Sequence, residues 1–201
     1  MSFWTENYAG GGVNNPKRNF RFHVQFTQMG ELTGYKDSIL YYAKTANKPS
    51  FSLGETTHSY LNHTFKFPGR VTWNDVTITM VDPGPKTSDA AATTNGLAFG
   101  LATLLKESGY SIPAGVSTGA VDFTTISKTK AVSGIGDVIV TQLDHDGNPL
   151  EQWTLYNAFL SEIKFGDLDY SNDDLTEYSI TLKYDWAEYE GVDFKQSGVK
   201  S

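Results

Sequence analysis

From Glu177 to Trp186 two kinds of side chain alternate without an error: Tyr178, Ile180, Leu182, Tyr184 and Trp186 on one parity, and Glu177, Ser179, Thr181, Lys183 and Asp185 on the other. Successive side chains of a strand point to opposite faces, whereas a helix would scatter the apolar set around its circumference. The run from Leu175 to Trp186 therefore reads as one strand with a core face and a polar face, and it requires a sheet to pair with. Other segments supply partners. Phe20, Phe22, Val24 and Phe26 alternate with Arg21, His23, Gln25 and Thr27, and Val76, Ile78 and Met80 alternate with Asp75, Thr77 and Thr79. Trp73 falls on the polar parity, which predicts that it covers the sheet's outer side.

Further strands are predicted at Ile39 to Ala46, Tyr60 to Phe67 and Val138 to Leu143, and at Gln152 to Phe159 with Trp153, Leu155 and Phe159 on one parity. Lys48 and Pro49 end the second of the chain's strands, because proline lacks a ladder donor, and a loop is expected from there through Gly54. Asp146, Gly147 and Asn148 mark a hairpin turn. One helix is expected: Leu97, Leu101, Leu104 and Leu105 recur at helical spacing, Thr94 or Asn95 can cap the start, and Gly109 suits a left-handed exit. Residues 109–136, rich in Gly, Ser and Thr, read as a partly irregular insertion. The expected fold is mainly β, an antiparallel β-sandwich or partly closed barrel with one flanking α-helix. A chain of 201 residues fits one domain: 18–81 and 137–187 as the β core, 82–136 as helix plus insertion, and 1–17 and 188–201 as terminal arms.

Charge and composition narrow the function. The net charge is −7, and between Glu162 and Asp193 ten carboxylates face two lysines, so the acidity is concentrated there and the rest of the chain sits near +1. Gripping DNA requires clustered Lys and Arg, so a nucleic-acid-binding surface is not expected. The chain has no cysteine, which removes disulfides and thiolate metal sites and suits a reducing compartment. Neither a basic leader followed by an apolar core nor an apolar run of membrane-spanning length occurs, so neither export nor membrane insertion is expected.

No cofactor, metal or catalytic residue is expected. His58 and His63 are five positions apart, on opposite faces if they share a strand. Asp144, Asp146 and Asn148 imitate the start of a calcium loop, but Pro149 stands where glycine makes the bend and Leu155 where the bidentate glutamate belongs. Asp167, Asp169, Ser171 and Asp173 come closer, with Asn172 for the glycine and Tyr178 for the glutamate. Gly134 and Gly136 lack the third glycine of a phosphate loop, and no strand-to-helix nucleophile elbow is present. What remains is aromatic surface: aromatics are 13% of the chain, and such residues serve both sheet packing and protein interfaces.

The order of segments carries a resemblance. Asn19 to Gln28, the step Ala43-Lys44-Thr45-Ala46-Asn47-Lys48-Pro49, the passage Pro68-Gly69-Arg70-Val71-Thr72-Trp73-Asn74-Asp75-Val76-Thr77-Ile78, and the closing run from Asp169 to Trp186 resemble the tail tube proteins of T-even-type contractile phages. The resemblance covers roughly residues 18–81 and 137–187. It implies a small β-sandwich with a helix, assembled as six-membered rings that stack into a hollow tube. It implies sheath, baseplate and tail-terminator proteins as partners, with DNA passing through the lumen without specific binding. It further implies a virion tail protein assembled in the host bacterial cytoplasm. By position, Lys44, Asn47, Lys48, Pro49, Phe51 and Glu55 resemble the inter-subunit and inter-ring loop, and Asp75, Asp167, Asp169, Glu177 and Asp185 are candidate lumen charges. The alternatives are a type VI secretion ring protein, or a baseplate or tail-completion component. A β-barrel binder of small molecules is the rival from another class, and it requires a monomer with an apolar pocket.

Overall fold

The computed structural model describes residues 16–28, 43–82, 97–111, 125–171 and 173–191. Among the described residues ten strands and two helices follow one another: β1 (Phe22–Phe26), β2 (Ala43–Ala46), β3 (Phe51–Tyr60), β4 (His63–Trp73), β5 (Val76–Val81), α1 (Leu97–Glu107), α2 (Lys128–Ile135), β6 (Val138–Leu143), β7 (Pro149–Tyr156), β8 (Phe159–Lys164), β9 (Glu177–Lys183) and β10 (Trp186–Tyr189). They form two four-stranded antiparallel sheets, β1-β6-β7-β10 and β2-β5-β9-β8, and a separate two-stranded ribbon of β3 and β4. The fold is therefore the mainly-β sandwich the alternation predicts, and the described strands do not close into a barrel.

The core lies between the two sheets. Val24, Phe26, Val138, Val140, Leu155 and Ala187 come from the first sheet and Val76, Ile78, Met80, Tyr178, Ile180 and Leu182 from the second, joined by Leu97, Leu101, Leu104 and Ile135 of the helices. The leucine stripe of α1 turns inward as its spacing predicts, except that Leu105 is exposed. Gly109 leaves the helix at φ 98°, and an added Cβ there would lie 2.6 Å from the Thr125 carbonyl oxygen.

Several boundaries differ from the sequence expectation. Residues 128–135, inside the supposed irregular insertion, are helical because Ser127 caps them through the Lys130 N–H and Gly136, at φ 71°, closes them. Phe159 does not continue β7: Asn157 at positive φ breaks the ladder, and Phe159 starts β8 in the other sheet. The run from Leu175 to Trp186 likewise divides. Leu175 is exposed in the preceding loop, β9 belongs to the second sheet and β10 to the first. The backbone crosses between sheets at Tyr184 and Asp185, where the Asp185 N–H donates to the Tyr156 carbonyl at 3.1 Å. Parity slips at that step, so Ala187 is buried while Trp186 points outward and stacks on Tyr156, with ring centroids 5.3 Å apart. Of the predicted second strand only 43–46 is described; residues 39–42, the caps at Thr94 and Asn95, and the segments 83–96 and 112–124 lie outside the described residues. No described helix is long and apolar enough to cross a membrane.

Candidate assembly surfaces

The chains that pair as β2 and β5 continue as β3 and β4 after a step through 47–50 on one side and 74–75 on the other. The expected loop from Lys44 to Glu55 is therefore mostly strand: Lys44 lies in β2, Phe51 and Glu55 in β3, and only Asn47, Lys48, Pro49 and Ser50 are irregular. Pro49 does end the β2 ladder, but β4 offers a new partner two residues later. The predicted strand from Tyr60 to Phe67 straddles the actual turn at Leu61 and Asn62, with Leu61 at φ 53°. At about 3.3 Å per residue, the ten residues of β3 reach roughly 30 Å. Every ribbon residue from Phe51 to Thr72 is exposed.

The ribbon carries its apolar side chains on two different faces. Near the root, Phe51 pairs with Trp73 and Leu53 with Val71; near the tip, His58 pairs with Phe65 and Tyr60 with His63. Between them the register shifts, Leu53 facing Val71 but Glu55 facing Pro68, so β4 contributes one extra residue. A one-residue slip exchanges the faces of a period-two strand. Phe51 and Leu53 thus share a parity with Glu55, Thr57 and Ser59, while Tyr60, Phe65 and Phe67 occupy the opposite side. The slip is made by glycines in backbone contact: a Cβ on Gly69 would lie 3.0 Å from the Gly54 carbonyl oxygen.

At the root, Trp73 packs edge-on against Phe51 at 5.4 Å and tilts over Tyr184 at 5.9 Å, rather than covering an outer sheet face. Phe51, Val71, Trp73, Trp153, Trp186 and Ala187 line a mainly apolar groove of about 440 Å³. Burial pushes the Tyr184 hydroxyl up to about 12. Beside the groove, Glu151 accepts from Lys17 at 2.5 Å, Lys48 at 2.8 Å and the Trp153 indole at 2.8 Å. Burial is the largest single influence on the Glu151 carboxyl and pushes it up, but these bonds together hold it at about 2. Lys48 also donates to Gln142 at 2.7 Å, whose amide in turn reaches the Arg18 carbonyl at 3.1 Å. Asn74 donates its backbone N–H and its side-chain amide to Ser50. The root is thereby tied to both sheets and to the entry of the N-terminal segment.

The opposite pole of the second sheet is formed by the β8–β9 connection, because Val81 pairs with Glu177 there while Val76 pairs with Leu182 at the ribbon end. Asp167, Asp169, Asp173 and Asp174 fall in this connection, along with exposed Leu168, Tyr170 and Leu175. Half of the region's net charge of −8 thus falls in the connection and half from Asp185 onward, while along β9 Glu177 and Lys183 cancel. The Asp169 carboxylate accepts from the Ser171 N–H and hydroxyl, and these bonds lower its pKa. Among the lumen candidates, Glu177 pairs with Lys44, Asp185 with Lys128 at 2.7 Å and Asp75 with Lys183 at 3.5 Å. The structure does not bring the five together: Asp167, Asp169 and Glu177 sit at one pole, Asp75 and Asp185 near the other.

Asp144, His145 and Asp146 bring ligand atoms within 4.8 Å of one another. Both Asp144 oxygens already accept, however, from the Asp146 and Asn148 N–H groups and the Asn148 side chain. The arrangement is the β6–β7 hairpin turn, as its sequence predicts. His58 and His63 flank the ribbon tip and do not share one strand. Sequence reasoning missed the Glu151 hub, since an isolated carboxylate in an alternating strand announces no partners. It also missed the two-faced ribbon, for which the alternation of His63, Phe65 and Phe67 behind Asn62 was an available signal.

No protein-family model matches the chain, and no curated protein matches it in sequence. Solved structures do match in fold. A chain of the anti-feeding prophage cap, described as the AFP tube terminating cap, superposes with a TM-score of 0.57 at 14% identity over 94% of this chain and 99% of that one. A chain of the extracellular contractile injection system PVC sheath/tube terminator, in its extended state, gives 0.58 at 15% over 89% and 99%. A chain of the PVC sheath-tube complex gives 0.53 at 16% over 90% and 95%. The fold is shared with tube and terminator components of contractile injection systems.

Proposed function

We propose that this chain is a non-enzymatic structural subunit of a contractile tail, forming hexameric rings that stack into a hollow tube through which DNA passes. The observation that carries this reading is the exposed ribbon: a two-stranded arm of about 30 Å with aromatic side chains on both faces. Large apolar side chains left in water mark a surface that is covered in an assembly, and an isolated two-stranded ribbon is only marginally stable unless something packs on it. The shared fold supports the same reading, because the similar structures are a tube cap, a sheath/tube terminator and a sheath-tube complex.

On this reading Lys44, Asn47, Lys48, Pro49, Phe51 and Glu55 belong to the inter-subunit arm and its root. Sheath, baseplate and terminator proteins are the partners, and the virion tail is the site of action. Asp167, Asp169 and Glu177, with Asp75 and Asp185, remain the candidate lumen charges. Those paired with lysine supply little net field, so repulsion of phosphate falls mainly to Asp167 and Asp169. Electron microscopy of the purified protein at rising concentration tests the reading. Long tubes are expected; rings that never extend favour an end piece or a secretion ring, and a monomer at every concentration overturns it.

A further inference from the structure

The apolar groove at the ribbon root runs along one edge of β10. Trp186, Ala187 and Glu188 line it in succession. Consecutive strand residues point to opposite faces, so only the edge of the strand can present all three to one groove. β7 pairs along the other edge, and β10 is the last strand of its sheet. Across the groove, Phe51 and Val71 are more than half exposed, and apolar side chains clustered in water mark a surface that something covers. Just beyond β10 the chain reverses: Glu190 and Gly191 form a turn, with Gly191 at φ 85°. Because β7 fills one side of β10, the reversed chain has the groove side open to it. Residues 192–201, which lie outside the described residues, begin Val192-Asp193-Phe194-Lys195.

We propose that the C-terminal segment of the same chain folds back along β10 and seats Phe194 in the groove, with Lys195 against Glu188. Phe194 is three residues past Gly191, about 10 Å of extended chain, and Glu188 is three residues before it. A chain returning antiparallel to β10 therefore brings the ring abreast of Ala187 and Glu188. One buried aromatic ring is the largest apolar contribution so short a segment can make. Charge favours this occupant over the other end of the chain. Residues 1–15 precede Lys17, itself bound to Glu151 beside the groove, and hold Phe3, Trp4 and Tyr8. Their only charged side chain, however, is Glu6, and a like charge set against Glu188 is costly. The seat closes within one subunit and does not depend on the assembly proposed above.

Trypsin cleavage after Lys195, followed on the full chain at low concentration, tests the seat. Wild type should be cut there slowly, because a seated segment must open before it is cleaved. Phe194→Ala should be cut at least about tenfold faster, while Phe194→Leu, which keeps an apolar anchor, should stay near wild type. Three of the four tryptophans, Trp73, Trp153 and Trp186, line the groove. Phe194→Ala should therefore also shift tryptophan emission to longer wavelength, with the melting temperature confirming that the sandwich stays folded. The proposal is overturned if wild type and Phe194→Ala are cut equally fast, or if the emission does not move. It is also overturned if Phe3→Ala or Tyr8→Ala produces the shift instead, which gives the groove to the N-terminal segment. Protection of Lys195 that appears only as concentration rises gives the groove to a second copy and overturns it equally.

Discussion

At the scale of single residues, the step between Tyr184 and Ala187 decides which of the alternating side chains reach the core. Leu182 is fully buried, whereas Trp186, four positions on and on the same sequence parity, is 39% exposed. Leu182→Ala should therefore cost about 2–5 kcal/mol in urea unfolding, and Trp186→Ala distinctly less; equal losses would place Trp186 in the core after all. Glu151 supplies a pH-dependent term. Its pKa falls from 4.5 to about 2 on folding, so its contribution is fully present above the unfolded value and is lost as pH falls through the folded one. Glu151→Gln should lower stability by on the order of 2 kcal/mol at neutral pH, and the gap from wild type should narrow as pH drops from 4.5 toward 2. A gap independent of pH in acid titration would mean that the lysine bonds contribute nothing.

Among elements, the ribbon stands apart energetically because its described residues from Phe51 to Thr72 bury nothing substantial within the subunit. Replacing Thr56 to Lys66 with a short turn should leave thermal unfolding cooperative and within a few degrees of wild type. The same change should abolish assembly as seen by sedimentation; collapse of the fold would show that the ribbon stabilises the monomer. The alternating strands were legible because a half-buried strand writes its two environments directly into the sequence. Phe22 to Phe26, Val76 to Met80 and Tyr178 to Leu182 could thus be read without coordinates, as could the leucine stripe of α1. The ribbon was marked only by the alternation of His63, Phe65 and Phe67, because a strand exposed on both faces has no single core face to record. The helix at 128–135 was hidden by weak apolar periodicity, its main local signal being the Ser127 cap. The candidate site was least legible of all, since Glu151, Lys17, Lys48 and Gln142 meet across long sequence separations.

For the whole molecule, the two sheets are not independent layers. The chain crosses between them after β7 and again after β9, and Lys48 joins the connector of one sheet to Glu151 and Gln142 of the other. A sandwich laced in this way should unfold as one cooperative unit. The separation of ribbon and acidic connection to opposite poles has a further consequence for anything this chain builds head to tail. Such a structure has a direction: one terminus displays the exposed ribbons, the other the acidic β8–β9 connections. A plug shaped for the first cannot stop the second, so starting and finishing the structure call for two chemically different proteins.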